Sequence, residues 1–92
     1  MSVNSSKPQM PVFFAFAIRD IKTDSFMLPF FQSHKAGAMR MFSELARDPQ
    51  APVAKHPEDF QLFEIGVYDP QTAAMTALPQ PTFLANAVDF RQ

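Results

Sequence analysis

Residues 12–19 read V-F-F-A-F-A-I-R, with Val12, Phe14, Phe16 and Ile18 at one parity and Phe13, Ala15, Ala17 and Arg19 at the other. A period of two puts these sets on opposite faces of a strand. Both sets are largely apolar, which predicts a strand in the middle of a sheet, or one whose second face is covered by a helix or another chain. Over residues 21–32 the alternation stops, and Pro29 interrupts helix and ladder alike. The apolar stretch Phe26-Met27-Leu28-Pro29-Phe30-Phe31 therefore predicts a loop packed on the core.

At 100° per residue, residues 34–47 place Ala38, Met39, Met41, Phe42, Leu45 and Ala46 on one broad face, and Ala36, Arg40, Ser43, Glu44 and Arg47 on the other. This predicts the main helix, with Ser33 as its cap and Asp48-Pro49 as its end. Pro49, Pro52 and Pro57 make residues 48–59 a long, stiff surface connection. Residues 60–68 alternate again, with Phe63, Ile65 and Val67 on one side and Glu64, Gly66 and Tyr68 on the other, a second strand. Asp69-Pro70-Gln71-Thr72 predicts a turn and residues 73–78 a third strand, although the Asn-Gly or Asp-Gly hairpin signal is missing. After Pro79-Gln80-Pro81, Thr82 caps a short helix over residues 83–88. The predicted fold is α+β: a small antiparallel or mixed sheet of about three strands, order β-α-β-β-α, with one main helix packed on it. Residues 1–11, rich in Ser, Asn, Gln and Pro, predict a flexible N-terminal arm before a single domain over residues 12–92.

Composition narrows this picture. A chain of 92 residues has one core to build, and burying roughly 60 to 65% of the unfolded surface is what this size allows. Eleven Phe without Trp supply large side chains that need no polar partner, and most are expected in the core. The absence of cysteine removes disulfides, thiolate metal sites and Cys nucleophiles and fits a reducing cytoplasm. No run approaches the roughly 18 apolar residues of a membrane span, and Arg19-Asp20 directly after the first apolar stretch is unlike a signal peptide. No membrane partner is expected.

The net charge of −1 carries no strong nucleic-acid signature, but it is unevenly distributed. Residues 19–55 hold six basic residues against four acids, whereas residues 57–92 hold five acids against Arg91. The mild basic excess falls on the main helix, where Arg40 and Arg47 stand two turns apart and Lys35 lies near the edge. These three could meet phosphates, although Glu44 is placed to pair with Arg40. Tyr68 and Phe13 are the candidate stacking platforms for bases. The two-sided apolar strand, through Phe13, Ala15 and Ala17, is the candidate self-association surface, since a small chain gains core by pairing.

Catalysis finds little support. His34 and His56, with Asp24 or Glu58, lack the ligand spacing of a metal site. Glu58-Asp59 has no apolar pocket to separate an acid from a base. Ser25, Ser33 and Ser43 have no adjacent base, and two glycines, Gly37 and Gly66, make no phosphate-cradling loop. No enzyme activity, metal or other cofactor is expected.

One further signal is a resemblance. Ile18-Arg19-Asp20, Phe26-Met27-Leu28-Pro29-Phe30-Phe31, Ala38-Met39-Arg40-Met41-Phe42, Asp48-Pro49 and the run from Lys55-His56-Pro57-Glu58-Asp59-Phe60 to Gly66 resemble the small nonstructural protein of gokushovirus-type microviruses. The resemblance covers about residues 12–78, and residues 55–66 are its most specific part. It implies a non-enzymatic accessory protein of a single-stranded DNA phage, made in the host bacterial cytoplasm. Such a protein would act in viral genome synthesis or packaging by binding single-stranded DNA or replication or procapsid proteins. It brings no catalytic or binding residues with it. The alternative is a structural or assembly component that docks to itself, as a homo-oligomer, or to the capsid.

Overall fold

A computed structural model of the chain describes residues 11–90. The arm predicted over residues 1–11 lies, but for Pro11, outside the described residues. The elements are β1 (Phe13–Asp20), β2 (Ser25–Phe26), β3 (Phe30–Gln32), α1 (Lys35–Arg47), α2 (Pro52–Lys55), β4 (Phe60–Asp69) and β5 (Ala74–Asn86). Single 3-10 turns occupy Pro57–Asp59 and Ala87–Phe90. All strand pairs are antiparallel; β1 is central, with β4 on one edge, β2 and β3 on the other, and β5 outside β4.

The α+β class and the main helix stand as expected, but three strands is an undercount. Residues 21–32 form two short strands on the free edge of β1 instead of a loop on the core. Only Phe30 of that segment turns inward, stacked on Phe16 at 5.8 Å, whereas Leu28 is 89% exposed. The predicted third strand and the helix over residues 83–88 are replaced by one strand, β5, so the expected Thr82 cap has no helix to cap. Prolines are tolerated there because β5 is an edge strand and needs no partner on its outer side. Opposite Ile65, the ladder jumps from Gly66↔Ala77 to Glu64↔Thr82, and Leu78-Pro79-Gln80-Pro81 occupy the bulge.

The same irregularity changes which residues of β4 share a face. β1 pairs Ala15 with Gly66 and Phe16 with Glu64, so Ile65 is skipped. Phe63, Gly66 and Tyr68 then lie on one side, and Phe60, Leu62, Glu64 and Val67 on the other. The expected grouping of Phe63 with Ile65 and Val67 fails because simple alternation cannot count through a bulge. Gly66 is required here, since a Cβ on it would lie 2.7 Å from the Thr76 carbonyl oxygen.

The core lies between the sheet and α1. Phe16, Ile18, Phe60, Leu62 and Ala85 from the strands meet Ala38, Phe42 and Ala46 of α1, with Val53 and Ala87 closing the sides. Alanines at helix positions 38 and 46 bring α1 close to the sheet, and Phe42 between them fills the space. Ser33 does not cap the helix; His34 holds the N-cap position without a side-chain bond. Ser43, expected on the polar face, is buried at 8% exposure. Its hydroxyl donates to the Arg40 carbonyl at 2.8 Å and accepts from Arg47 Nη2 at 3.3 Å. Residues 48–59 are likewise not a plain surface connection, because Val53 and Pro57 are buried.

Two aspartates explain how the strand ends are set. Asp20 Oδ1 accepts the backbone N–H groups of Lys22 at 3.0 Å and Thr23 at 3.4 Å, which closes the β1–β2 turn. At the far end of β4, the Asp69 carbonyl accepts from Ala73 at 2.7 Å and Asp69 Oδ1 from Gln71 at 2.9 Å. This four-residue loop ends with Ala73 at φ 63°, a left-handed conformation that an alanine side chain disfavours by roughly 1 kcal/mol. Ala73→Gly is therefore expected to raise the melting temperature by about 4 °C, roughly what 0.5–1 kcal/mol gives in a domain of this size. Thermal melting followed by circular dichroism checks it.

Candidate functional site

The sheet face away from α1 carries the unusual surface. On β1 this face holds Phe13, Ala15, Ala17 and Arg19, because Phe14, Phe16 and Ile18 point to the helix. The ladder registers carry these positions across the sheet as four rows. Arg19, Gln61 and Asn86 form a polar row; Ala17, Phe63 and Phe83 the next; Ala15, Gly66 and Ala77 a row of small residues; and Phe13, Tyr68 and Met75 the last. Phe26 pairs with Arg19, and Phe31 with Ala15, from the other edge of β1.

The alanines of β1 have a specific consequence. Strands two apart in a sheet are separated by about 10 Å, so side chains from the strands flanking β1 meet only if they lean over it. Phe26 and Phe63 do so, with ring centroids 5.4 Å apart and edge to face. Phe31 and Tyr68 do the same at 5.7 Å. Ala15 and Ala17 are 0% and 2% exposed for this reason: the rings roof them. Phe63 is also edge to face with Phe83 at 5.8 Å, which makes Phe26, Phe63 and Phe83 a continuous aromatic cluster. Phe26 and Phe83 remain 45% and 48% exposed, so the cluster presents ring surface to solvent.

The polar row borders this cluster. Arg19 Nη2 pairs with Asp24 Oδ1 at 2.7 Å, and Nη1 donates to Gln61 Oε1 at 3.4 Å. Gln61 Nε2 in turn donates to Asn86 Oδ1 at 3.0 Å. A guanidinium and two amides thus lie in register beside exposed rings. At the opposite end, Phe13, Phe31, Tyr68 and Met75 line an open apolar cavity of about 440 Å³.

The residues singled out from the sequence are divided by this geometry. Tyr68 and Phe13 both reach the cavity. Lys35, Arg40 and Arg47 stand on α1, across the sheet from Tyr68, so the four do not form one surface. Arg40 pairs with Glu44 at 3.4 Å, and Arg47 donates to Ser43. Of the candidate self-association residues, Ala15 and Ala17 are roofed, and only Phe13 lines an accessible surface. Phe26, Phe63, Phe83, Gln61 and Asn86 were missed. Phe63 was legible only with the bulge, and Phe83 only once β5 replaced the predicted helix.

His56, Glu58 and Asp59 bring their ligand atoms within 4.8 Å of one another. His56 and Glu58 are exposed, and the run has a structural use. The Asp59 N–H donates to the His56 carbonyl at 2.9 Å, the Asp59 carbonyl accepts from Ile21 at 2.8 Å, and Pro57 and Phe60 are buried. The run fastens the entry of β4 to the end of β1. Among the described residues, no helix is long and apolar enough to cross a membrane.

No curated protein and no solved structure matches the chain. Residues 13–90 match the family described as Phage ORF5 protein.

Proposed function

We propose, from the premise that the chain belongs to the Phage ORF5 protein family, that it is a non-enzymatic accessory protein which binds single-stranded DNA. The resemblance of its motifs to the gokushovirus-type nonstructural protein supports a single-stranded DNA phage, action in genome synthesis or packaging, and the host bacterial cytoplasm. The observation that carries the binding role is the open cluster of Phe26, Phe63 and Phe83 beside Arg19, Gln61 and Asn86. Unpaired bases stack on exposed rings whatever their sequence, and guanidinium and amide groups can bond base edges or phosphate. A duplex hides its base faces, so single strands are favoured.

Charge sets the character of this binding. Arg19, paired with Asp24 at 2.7 Å, is the cation of the polar row, and the net charge of −1 adds no general attraction. One phosphate contact on a single strand implies a slope of log affinity against log salt of about −0.7. A shallow dependence of that order is expected from fluorescence anisotropy of a labelled oligonucleotide titrated at several salt concentrations, with a matching duplex binding more weakly. No detectable single-strand binding at low salt would sink the reading.

The second reading is an assembly component of the particle or of itself, supported by the apolar cavity and by the exposed Leu28. It expects the protein at stoichiometric amounts in purified virions, which mass spectrometry of the particles decides.

A further inference from the structure

We propose that Asn86 selects the base stacked beside it, favouring thymine and guanine, whose exocyclic group is a carbonyl, over cytosine and adenine, which carry an amino group there. This role rests on the single-strand reading above and names the residue that sets its base preference. Simple alternation along β5 from Phe83 would send Asn86 to the helix side of the sheet. The ladder instead passes from Phe63↔Phe83 to Leu62↔Ala85 and Gln61↔Asn86, which leaves Leu84 as an extra residue. Leu84 and Ala85 both pack toward the core, so Phe83 and Asn86 emerge together on the open face. A bulge re-aims the side chains that follow it, and here it sets an amide beside an exposed ring.

The direction of the hydrogen bonds in the polar row fixes what that amide offers. A guanidinium has donors only. Because Arg19 Nη1 bonds Gln61 at 3.4 Å, the Gln61 amide turns its oxygen to Arg19 and its nitrogen to Asn86. Gln61 Nε2 then donates to Asn86 Oδ1 at 3.0 Å, which leaves Asn86 Nδ2 without an acceptor among the described residues. Solvent reaches it, since no unpartnered side-chain nitrogen or oxygen described is buried. The cation at one end of the row thus makes the other end a donor.

The rings bring a base edge to that donor. Gln61 and Phe63 are two positions apart on β4, about 7 Å, so a base lying on Phe63 or Phe83 has the row at its rim. Thymine presents O4 and guanine O6 and N7, acceptors for Nδ2, whereas cytosine N4 and adenine N6 are donors that would meet another donor. An asparagine with both groups free would pair with adenine N6 and N7 together, but Gln61 occupies the oxygen. The carboxylate of Asp24 lies beyond Arg19 and is engaged by it. It is two strands from β5, about 10 Å, and offers no acceptor to a base on Phe83.

Anisotropy titrations of the full chain with labelled oligo(dU) and oligo(dC) at mildly alkaline pH test the assignment, deoxyuridine replacing thymidine so that the methyl group plays no part. The wild-type chain is expected to bind oligo(dU) about threefold to tenfold more tightly, the size of one hydrogen bond. Asn86→Asp keeps the side-chain shape and the bond from Gln61 but exchanges the donor for an acceptor. The preference is then expected to vanish or reverse, because a carboxylate accepts from cytosine N4. The added charge weakens both complexes alike, so the ratio of the two affinities is the readout. Equal binding of the two oligonucleotides by the wild-type chain overturns the proposal and leaves the single-strand reading standing, and it does so whether or not the variant folds. A folded Asn86→Asp chain with an unchanged ratio also overturns it, since Asn86 would then face phosphate or solvent alone. Binding of neither oligonucleotide removes the single-strand reading and the proposal together.

Discussion

Phe26→Ala combined with Phe83→Ala is expected to weaken single-stranded DNA binding by about 30-fold or more, at a cost of roughly 1–3 kcal/mol for each stacked ring removed. Both rings are close to half exposed and both pack on Phe63, so their losses will not add strictly. The fold should persist, because neither ring belongs to the cluster between sheet and helix. Arg40→Ala combined with Arg47→Ala provides the contrast. These residues stand across the sheet and are engaged with Glu44 and Ser43, so their removal is expected to change affinity by less than about twofold, as for solvated charges outside a contact. Anisotropy titrations of the two double variants at one salt concentration decide between the surfaces. Loss in the arginine variant with retention in the phenylalanine variant would move the binding surface to the helix.

The elements that could be read from the sequence are those fixed by local periodicity. β1 and α1 were legible because eight and thirteen residues repeat one pattern without interruption. The β1 pattern, apolar on both faces, correctly marked a central strand, but it could not show that rings from β2, β3 and β4 would cover Ala15 and Ala17. That cover depends on pairing between residues far apart in sequence. β5 was misread for a related reason: Pro79 and Pro81 end a strand on local grounds, and only its place at the sheet edge removes the penalty. The candidate surface inherits both difficulties. Tyr68 and Phe13 were found as individual aromatics, whereas the Phe26, Phe63 and Phe83 cluster exists only after three strands have been set in register. The motif residues Asp20 and Asp59 proved to close a turn and fasten a strand entry, which are fold tasks.

Phe42→Ala is expected to lower the melting temperature by about 15–30 °C, because deleting a buried phenylalanine side chain costs about 3–5 kcal/mol. Phe42 is 0% exposed, stands between Ala38 and Ala46 on the face of α1 that meets the sheet, and packs edge to face on Phe90 at 6.1 Å. The neighbouring alanines have no side chain to extend into the space it leaves, so the cavity cannot collapse easily. A 92-residue chain has a net stability of roughly 5–14 kcal/mol, and the loss is a large share of it. The eleven phenylalanines thus divide by task. Phe14, Phe16, Phe30, Phe42, Phe60 and Phe90 hold the helix to the sheet, and Phe13, Phe26, Phe31, Phe63 and Phe83 build the other face. Composition assigned most of them to the core, and for those on strands the division follows from the parity of each residue, while Phe42 and Phe90 reach the core from α1 and the last 3-10 turn. Phe42→Ala should therefore melt early while its folded fraction, measured well below the transition, binds single strands with wild-type affinity. Phe83→Ala should melt within a few degrees of wild type and bind less tightly, since an exposed edge-to-face pair contributes only about 0.5–1.5 kcal/mol beyond its buried area. Parallel melts and titrations of the two variants test the division, and a Phe83→Ala chain that melts as early as Phe42→Ala would show that the open face is part of the core.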